Sequence, residues 1–164
     1  MSYKGLLTEL KYESVGTRKL LERIPEGKLG FKPHVKSMEL KMLALHVAMM
    51  PDFIEPIINT NEIDFAGMDF TPPEVKSTED ILKIFDESLK KALALLEKAD
   101  DKTLMDKWTA KMNGEVVFEL PKISSLRSMT FNHLYHHRGQ LTVYLRLLDV
   151  PLPAIYGPSA DEQF

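Results

Sequence analysis

An all-α fold, an antiparallel four-helix bundle with one small β-hairpin before its last helix, is predicted by three features of the 164-residue chain. Four long segments repeat apolar residues at the i, i+3, i+4 and i+7 spacing of a single helix face. One Asn-Gly pair lies between short runs of β-branched and aromatic residues, which marks a hairpin. Three histidines, His46, His133 and His137, fall on the core-facing stripes of two of those helices. Side chains projecting inward from facing helices are how bundles build their cofactor sites.

The first helix is expected from about Tyr3 to Ile24, with Tyr3, Leu6, Leu10, Thr17, Leu20, Leu21 and Ile24 on one stripe and Pro25 and Gly27 ending it. After the loop EGKLGFKPHVKS, a second helix is expected from Met38 to about Asn59, kinked or interrupted by Pro51 and Pro56. The connection over 59–76 is long for a structureless loop, so it should be ordered against the body or functional. Ser77-Thr78-Glu79-Asp80 reads as the cap of a third helix running to about Ala99, with Ile81, Phe85, Ser88, Ala92, Leu95 and Leu96 inward. Asn113-Gly114 should turn a hairpin between Lys107 and Leu120. The longest helix then runs from Ser124 to Asp149, stopped by Val150-Pro151, and an irregular tail follows.

The length suits a single domain, 1–164, with enough chain to bury a core without disulfides or a structural metal. Cysteine is absent, which leaves His, Asp and Glu as the available metal ligands and suits a reducing cytoplasm. No secretory signal or membrane span is visible, so a cytoplasmic protein is expected. Net charge is −3, from 21 basic and 24 acidic residues spread along the chain. Nucleic-acid binders ordinarily carry a basic surplus, so DNA and RNA are not expected partners.

The histidines carry the chemistry. On a helix of about 3.6 residues per turn, His133 and His137 lie one above the other and can aim two imidazoles at one point. A lone core-facing histidine such as His46 is ordinarily a hydrogen-bonded packing residue. Two more on one apolar stripe would each need a buried partner, and a shared metal ion supplies both at once. Three neutral imidazoles with water in a fourth position is a recurrent zinc arrangement. His136 falls off the centre of the stripe and reads as a rim residue, while His34 reads as a solvated loop side chain.

Other polar residues are weaker candidates. Glu13 occupies the first helix stripe where an apolar residue is expected, with Glu9 one turn earlier, and could orient a ligand or act as general base. Arg138 and Gln140 flank His137 and could bind an anionic substrate group. Tyr156 could close over the site. Phe131 and Tyr135 lie on the side of the final helix away from its core stripe, where exposed aromatics point to the partner surface of a homodimer, and where packing against the hairpin or tail would explain them equally well. No phosphate-binding glycine loop, Gly-x-Ser-x-Gly elbow or His-Glu-x-x-His helix is present.

The segment NHLYHHRGQLTVYLRLLDVPLPAIYGPSADE resembles the DinB/YfiT-like family, in which a His-x-x-x-His-Arg-Gly-Gln stretch on the last bundle helix precedes a Pro-bearing tail with Tyr-Gly-Pro-Ser. The order of elements is similar over essentially the whole chain, with His46 in the position of the family's remaining ligand. The resemblance implies His46, His133 and His137 as ligands of a divalent ion, commonly zinc or nickel. Some relatives look like transferases using a low-molecular-weight thiol such as bacillithiol, mycothiol or glutathione. Others are described only as candidate metal-dependent hydrolases. A metalloenzyme acting on a small-molecule substrate is therefore expected, with a hydrolase or a non-catalytic, metal-stabilised stress-response module as the alternatives.

Overall fold

The computed structural model describes residues 2–68 and 71–163; Met1, Asp69, Phe70 and Phe164 lie outside the described residues. The chain is mostly helical, with a small three-stranded sheet. Helix α1 (Tyr3–Leu21) begins at Ser2, whose hydroxyl accepts from the Gly5 amide at 3.0 Å, and buries Tyr3, Leu6, Leu10, Glu13, Thr17, Leu20 and Leu21. The expected stripe is the buried one, Glu13 included.

The second helical stretch is broken where its prolines stand. Helix α2 (Leu40–Met49) passes into a 3₁₀ turn, Met50–Phe53, and then into α3 (Ile54–Asn59). Pro51 sits in the tighter turn, and Pro56 lies in the first turn of α3, where its missing N–H would have had no helical partner. Helix α4 (Thr78–Lys98) starts with a reciprocal cap: the Ser77 hydroxyl accepts from the Asp80 amide at 3.1 Å, and the Asp80 carboxylate accepts from the Ser77 amide at 3.0 Å.

The hairpin forms as expected but belongs to a larger sheet. Strands β2 (Lys107–Met112) and β3 (Glu115–Pro121) pair antiparallel, while β1 (Glu62–Asp64), from the long connection, pairs parallel to β2. Asn113 and Gly114 adopt φ of 52° and 80°, as both central positions of a type I′ turn require. The Asp64 carboxylate accepts from the amides of Asn113 (3.1 Å) and Gly114 (2.7 Å), so the connection holds the turn itself. The fully buried Trp108 anchors the sheet to the helices. Its indole N–H lies 3.3 Å from both the Pro56 carbonyl and the Thr60 hydroxyl. Full burial of such a side chain contributes about 1.5–3 kcal/mol or more.

The last helical stretch is not one uniform helix. It runs through α5 (Lys122–Leu126), a π-helical segment, Arg127–Asn132, and α6 (His133–Leu147). The π turn corrects the placement of Phe131, which is fully buried instead of exposed. In i→i+5 geometry residues five apart stack, so Leu126 and Phe131 both reach the core, which an ideal α-wheel does not allow. Tyr135 is also not a free surface aromatic: it packs against the core and its hydroxyl donates to Glu9 at 2.6 Å. Helix α6 ends at Leu147, and just beyond it Asp149, at φ 57°, lets the Val150 amide return to the Leu145 carbonyl at 3.0 Å.

Helix α1 packs on α4, α4 on α2, α2 on α6 and α6 on α1. Buried apolar residues form two clusters, one around Leu43, Phe85 and Leu141, the other around Tyr3, Trp108 and Phe131.

Candidate metal centre

The packing of α2 on α6 brings His46 to the His133/His137 pair. His46 projects from the last turn of α2, and the pair occupies the first turns of α6. One ring nitrogen from each of the three falls within 4.8 Å of the others. Nε2 of His46 is 3.4 Å from Nε2 of His133, and the ring centroids of His46 and His137 are 4.5 Å apart. Two nitrogens bound to a tetrahedral ion at roughly 2.0–2.1 Å would be separated by about 3.4 Å. The donor set and its spacing fit a divalent ion with little rearrangement.

The electrostatics suit neutral ligands. Burial pushes the His46 pKa down to about 4, with His137 and His133 adding to the effect. Burial also lowers His133, opposed by a hydrogen bond to the Met129 carbonyl, with His136 lowering it further. His137 is lowered by burial as well, against the hydrogen bond it donates to Gln140 Oε1 and with the help of His133 and His136. In all three the shift favours the uncharged imidazole, the form in which a ring nitrogen can ligate.

Each remaining polar residue has a definite place. Gln140 reaches back to the centre: its Oε1 lies 2.7 Å from His137 Nδ1, an arrangement that leaves His137 Nε2 available as a ligand. Arg138, beside His137, turns away into a buried cluster with α1 and the tail. It donates to the Glu13 carboxylate at 2.7 Å, the Glu13 carbonyl at 3.1 Å, the Thr17 hydroxyl at 3.0 Å and the Tyr156 hydroxyl. Tyr156 donates to the same Glu13 carboxylate at 2.7 Å, so the tail closes onto α1. Glu13 and Arg138 thus satisfy one another, and among the described residues the histidine group gains no carboxylate. His136 is exposed with its ring 4.9 Å from that of His137, and His34 is exposed in its loop, its Nδ1 accepting from the Lys36 amide.

One network escapes a reading of the sequence. Arg127 forks onto Glu9 at 2.6 and 2.9 Å, and Tyr135 reaches the same carboxylate. Glu9 at the edge of the α1 stripe is its only sequence signal, because the π turn that brings Arg127 and Tyr135 to one side leaves no mark in α-helical periodicity. Among the described residues, no helix is long and apolar enough to cross a membrane.

Comparison with known proteins agrees with this architecture. A DinB-like protein from Bacillus cereus ATCC 10987 superposes with a TM-score of 0.72 at 22% identity, covering 94% of this chain and 98% of that one. A DinB-like protein from Bacillus subtilis gives 0.72 at 20% identity, covering 92% and 97%. A protein assigned to the DinB family from Exiguobacterium sibiricum 255-15 gives 0.69 at 21% identity, covering 94% and 97%. At these identities the likeness is one of fold. No curated protein matches the sequence. The DinB family model matches residues 1–163, and the chain belongs to that family.

Proposed function

We propose that His46, His133 and His137 hold one divalent transition-metal ion, zinc or nickel, in a metalloenzyme that presents a low-molecular-weight thiol or water to a small electrophilic substrate. The observation that carries this reading is the convergence of three imidazoles from two helices, with 3.4 Å between two of the facing nitrogens. When bound, such an ion lowers the pKa of a coordinated thiol or water into the neutral range. The protein's own part is to keep the ligands neutral by burial and to hold His137 through Gln140. Glu13 stays committed to Arg138 and Tyr156, which supports an open position for an exogenous ligand.

Thiol transfer is favoured over hydrolysis by family resemblance alone. A transferase consumes a model electrophile only when thiol is supplied, whereas a hydrolase needs water alone. A metal-stabilised binding module in stress response would show neither. The ring of helix contacts supports an antiparallel bundle as the frame of the site. The acidic balance supports a protein that binds no nucleic acid, and the absence of cysteine supports residence in the cytoplasm. Assembly as a homodimer is part of the proposal; Phe131, buried within the protomer, is not its contact surface.

Elemental analysis of untagged, natively purified protein beside His133→Ala/His137→Ala tests the centre. About one equivalent of transition metal in the parent and none in the variant is expected. A parent without metal even after reconstitution would reduce the histidines to polar core residues.

A further inference from the structure

The π-helical segment ends where the metal centre begins: Asn132 is its last residue and His133 the first of α6. At this junction the His133 amide donates to the Thr130 carbonyl, three residues back, and not to the residue four back as in an α-helix. The direction of the His133 side chain therefore depends on the turn holding its irregular form. Isolated π turns sacrifice regular hydrogen bonding, persist where surrounding contacts maintain them, and are frequent at functional sites.

The contacts that hold this turn converge on one carboxylate of another helix. Glu9 on α1 receives both guanidinium donors of Arg127, the first residue of the π segment, at 2.6 and 2.9 Å. It also receives the hydroxyl of Tyr135 at 2.6 Å, and Tyr135 lies on α6 between the two histidines of the pair. One acidic side chain thus clamps the chain on both sides of the turn. The Arg127 guanidinium further lies 5.3 Å from the centroid of the Phe131 ring, within the π segment, and that ring is fully buried.

We propose that Glu9 is a positioning residue for the metal centre: by bridging Arg127 and Tyr135 it maintains the π turn and so sets the direction from which His133 meets His46 and His137. This rests on the three-histidine reading above, but it assigns a role to residues that touch neither the histidine nitrogens nor a substrate. The clamp is partly solvent-accessible, with 28% of each side chain exposed for Glu9 and Arg127, so its loss leaves charges that water can reach.

The test compares the parent protein with Glu9→Gln, Tyr135→Phe and Ile81→Val, the last a control that trims the core away from the turn. Each apoprotein is titrated with Zn(II) against a competing chelator and, separately, loaded with Co(II), whose visible absorption reports ligand geometry. The expected result is affinity weakened about 10–100-fold in Glu9→Gln, with an altered Co(II) spectrum. Tyr135→Phe should show a smaller change of the same sign, and Ile81→Val should keep both parental readouts. A merely structural role would make Ile81→Val and the clamp variants alike at equal loss of stability. Parental affinity and spectrum in both clamp variants would overturn the proposal while leaving the metal centre standing. Failure of the parent to bind metal would overturn the three-histidine reading and this one together. Should Glu9→Gln not fold, Tyr135→Phe decides the matter alone, because it deletes a single hydroxyl.

Discussion

Nε2 of His46 lies 3.4 Å from Nε2 of His133, although 87 residues separate them in the chain. Neither helix dictates this meeting. It follows from α2 packing against α6, and at that distance two half-buried ring nitrogens are spaced as two ligands of one ion would be. Each single substitution, His46→Ala, His133→Ala or His137→Ala, should therefore abolish stoichiometric metal retention, read by elemental analysis. Metal added at about 100 times its Kd should stabilise the parent by roughly 2.7 kcal/mol and leave the melting temperature of the variants unchanged. A variant retaining parental stoichiometry would remove its histidine from the ligand set.

The Arg138–Glu13 pair is almost wholly enclosed, with side-chain exposures of 4% and 9%. Breaking a buried pair leaves an uncompensated charge, so Arg138→Ala should cost about 3–5 kcal/mol in urea unfolding. Tyr156→Phe removes the hydroxyl's bond to the same carboxylate and the one it accepts from Arg138, but leaves the ion pair, and should cost only about 1–2 kcal/mol. Equal, small effects from both would show that the cluster is more hydrated than its burial indicates.

Gly114 holds the hairpin turn at φ 80°, where a β-carbon meets the following carbonyl. Gly114→Val should destabilise by about 1–2 kcal/mol or more and speed amide exchange along β2 and β3, while Asn113→Gly should be nearly neutral. The space around Gly114 is open, so backbone conformation and not crowding sets the cost.

The amide of Gly114, followed by that of Ala66, holds the Asp64 carboxyl below its ordinary range. A carboxylate with a lowered folded-state pKa stabilises fully above the unfolded value of about 3.9, and that contribution disappears as pH falls through the folded one. NMR titration should place the Asp64 midpoint below 3.9. In Asp64→Ala the hairpin amides of Asn113 and Gly114 should exchange faster near neutral pH, and the difference from the parent should vanish in acid. A normal Asp64 midpoint would show that the anchor is not maintained in solution.

Much of the fold was legible because periodicity and local chemistry are short-range. The α1 stripe, the Ser77/Asp80 cap, the interruption at Pro51 and the Asn113-Gly114 turn all follow from interactions within a few residues. Two features were not. Strand β1 has only three residues, and it becomes a strand because β2 offers an edge from across the chain. The π turn breaks the 100° rule on which any helical wheel depends, so a wheel places Phe131 on the wrong side.

The sequence by itself determined the helical class, the hairpin, and the spacing that stacks His133 above His137, because each depends on neighbours along one segment. The tertiary structure alone decided that His46 meets that pair, that Arg138 is consumed by Glu13 and Tyr156, and that Gln140 serves His137. The reason is physical: partners far apart in the chain are selected by which faces bury together, and a buried charge or ring nitrogen takes whichever partner that packing brings within reach.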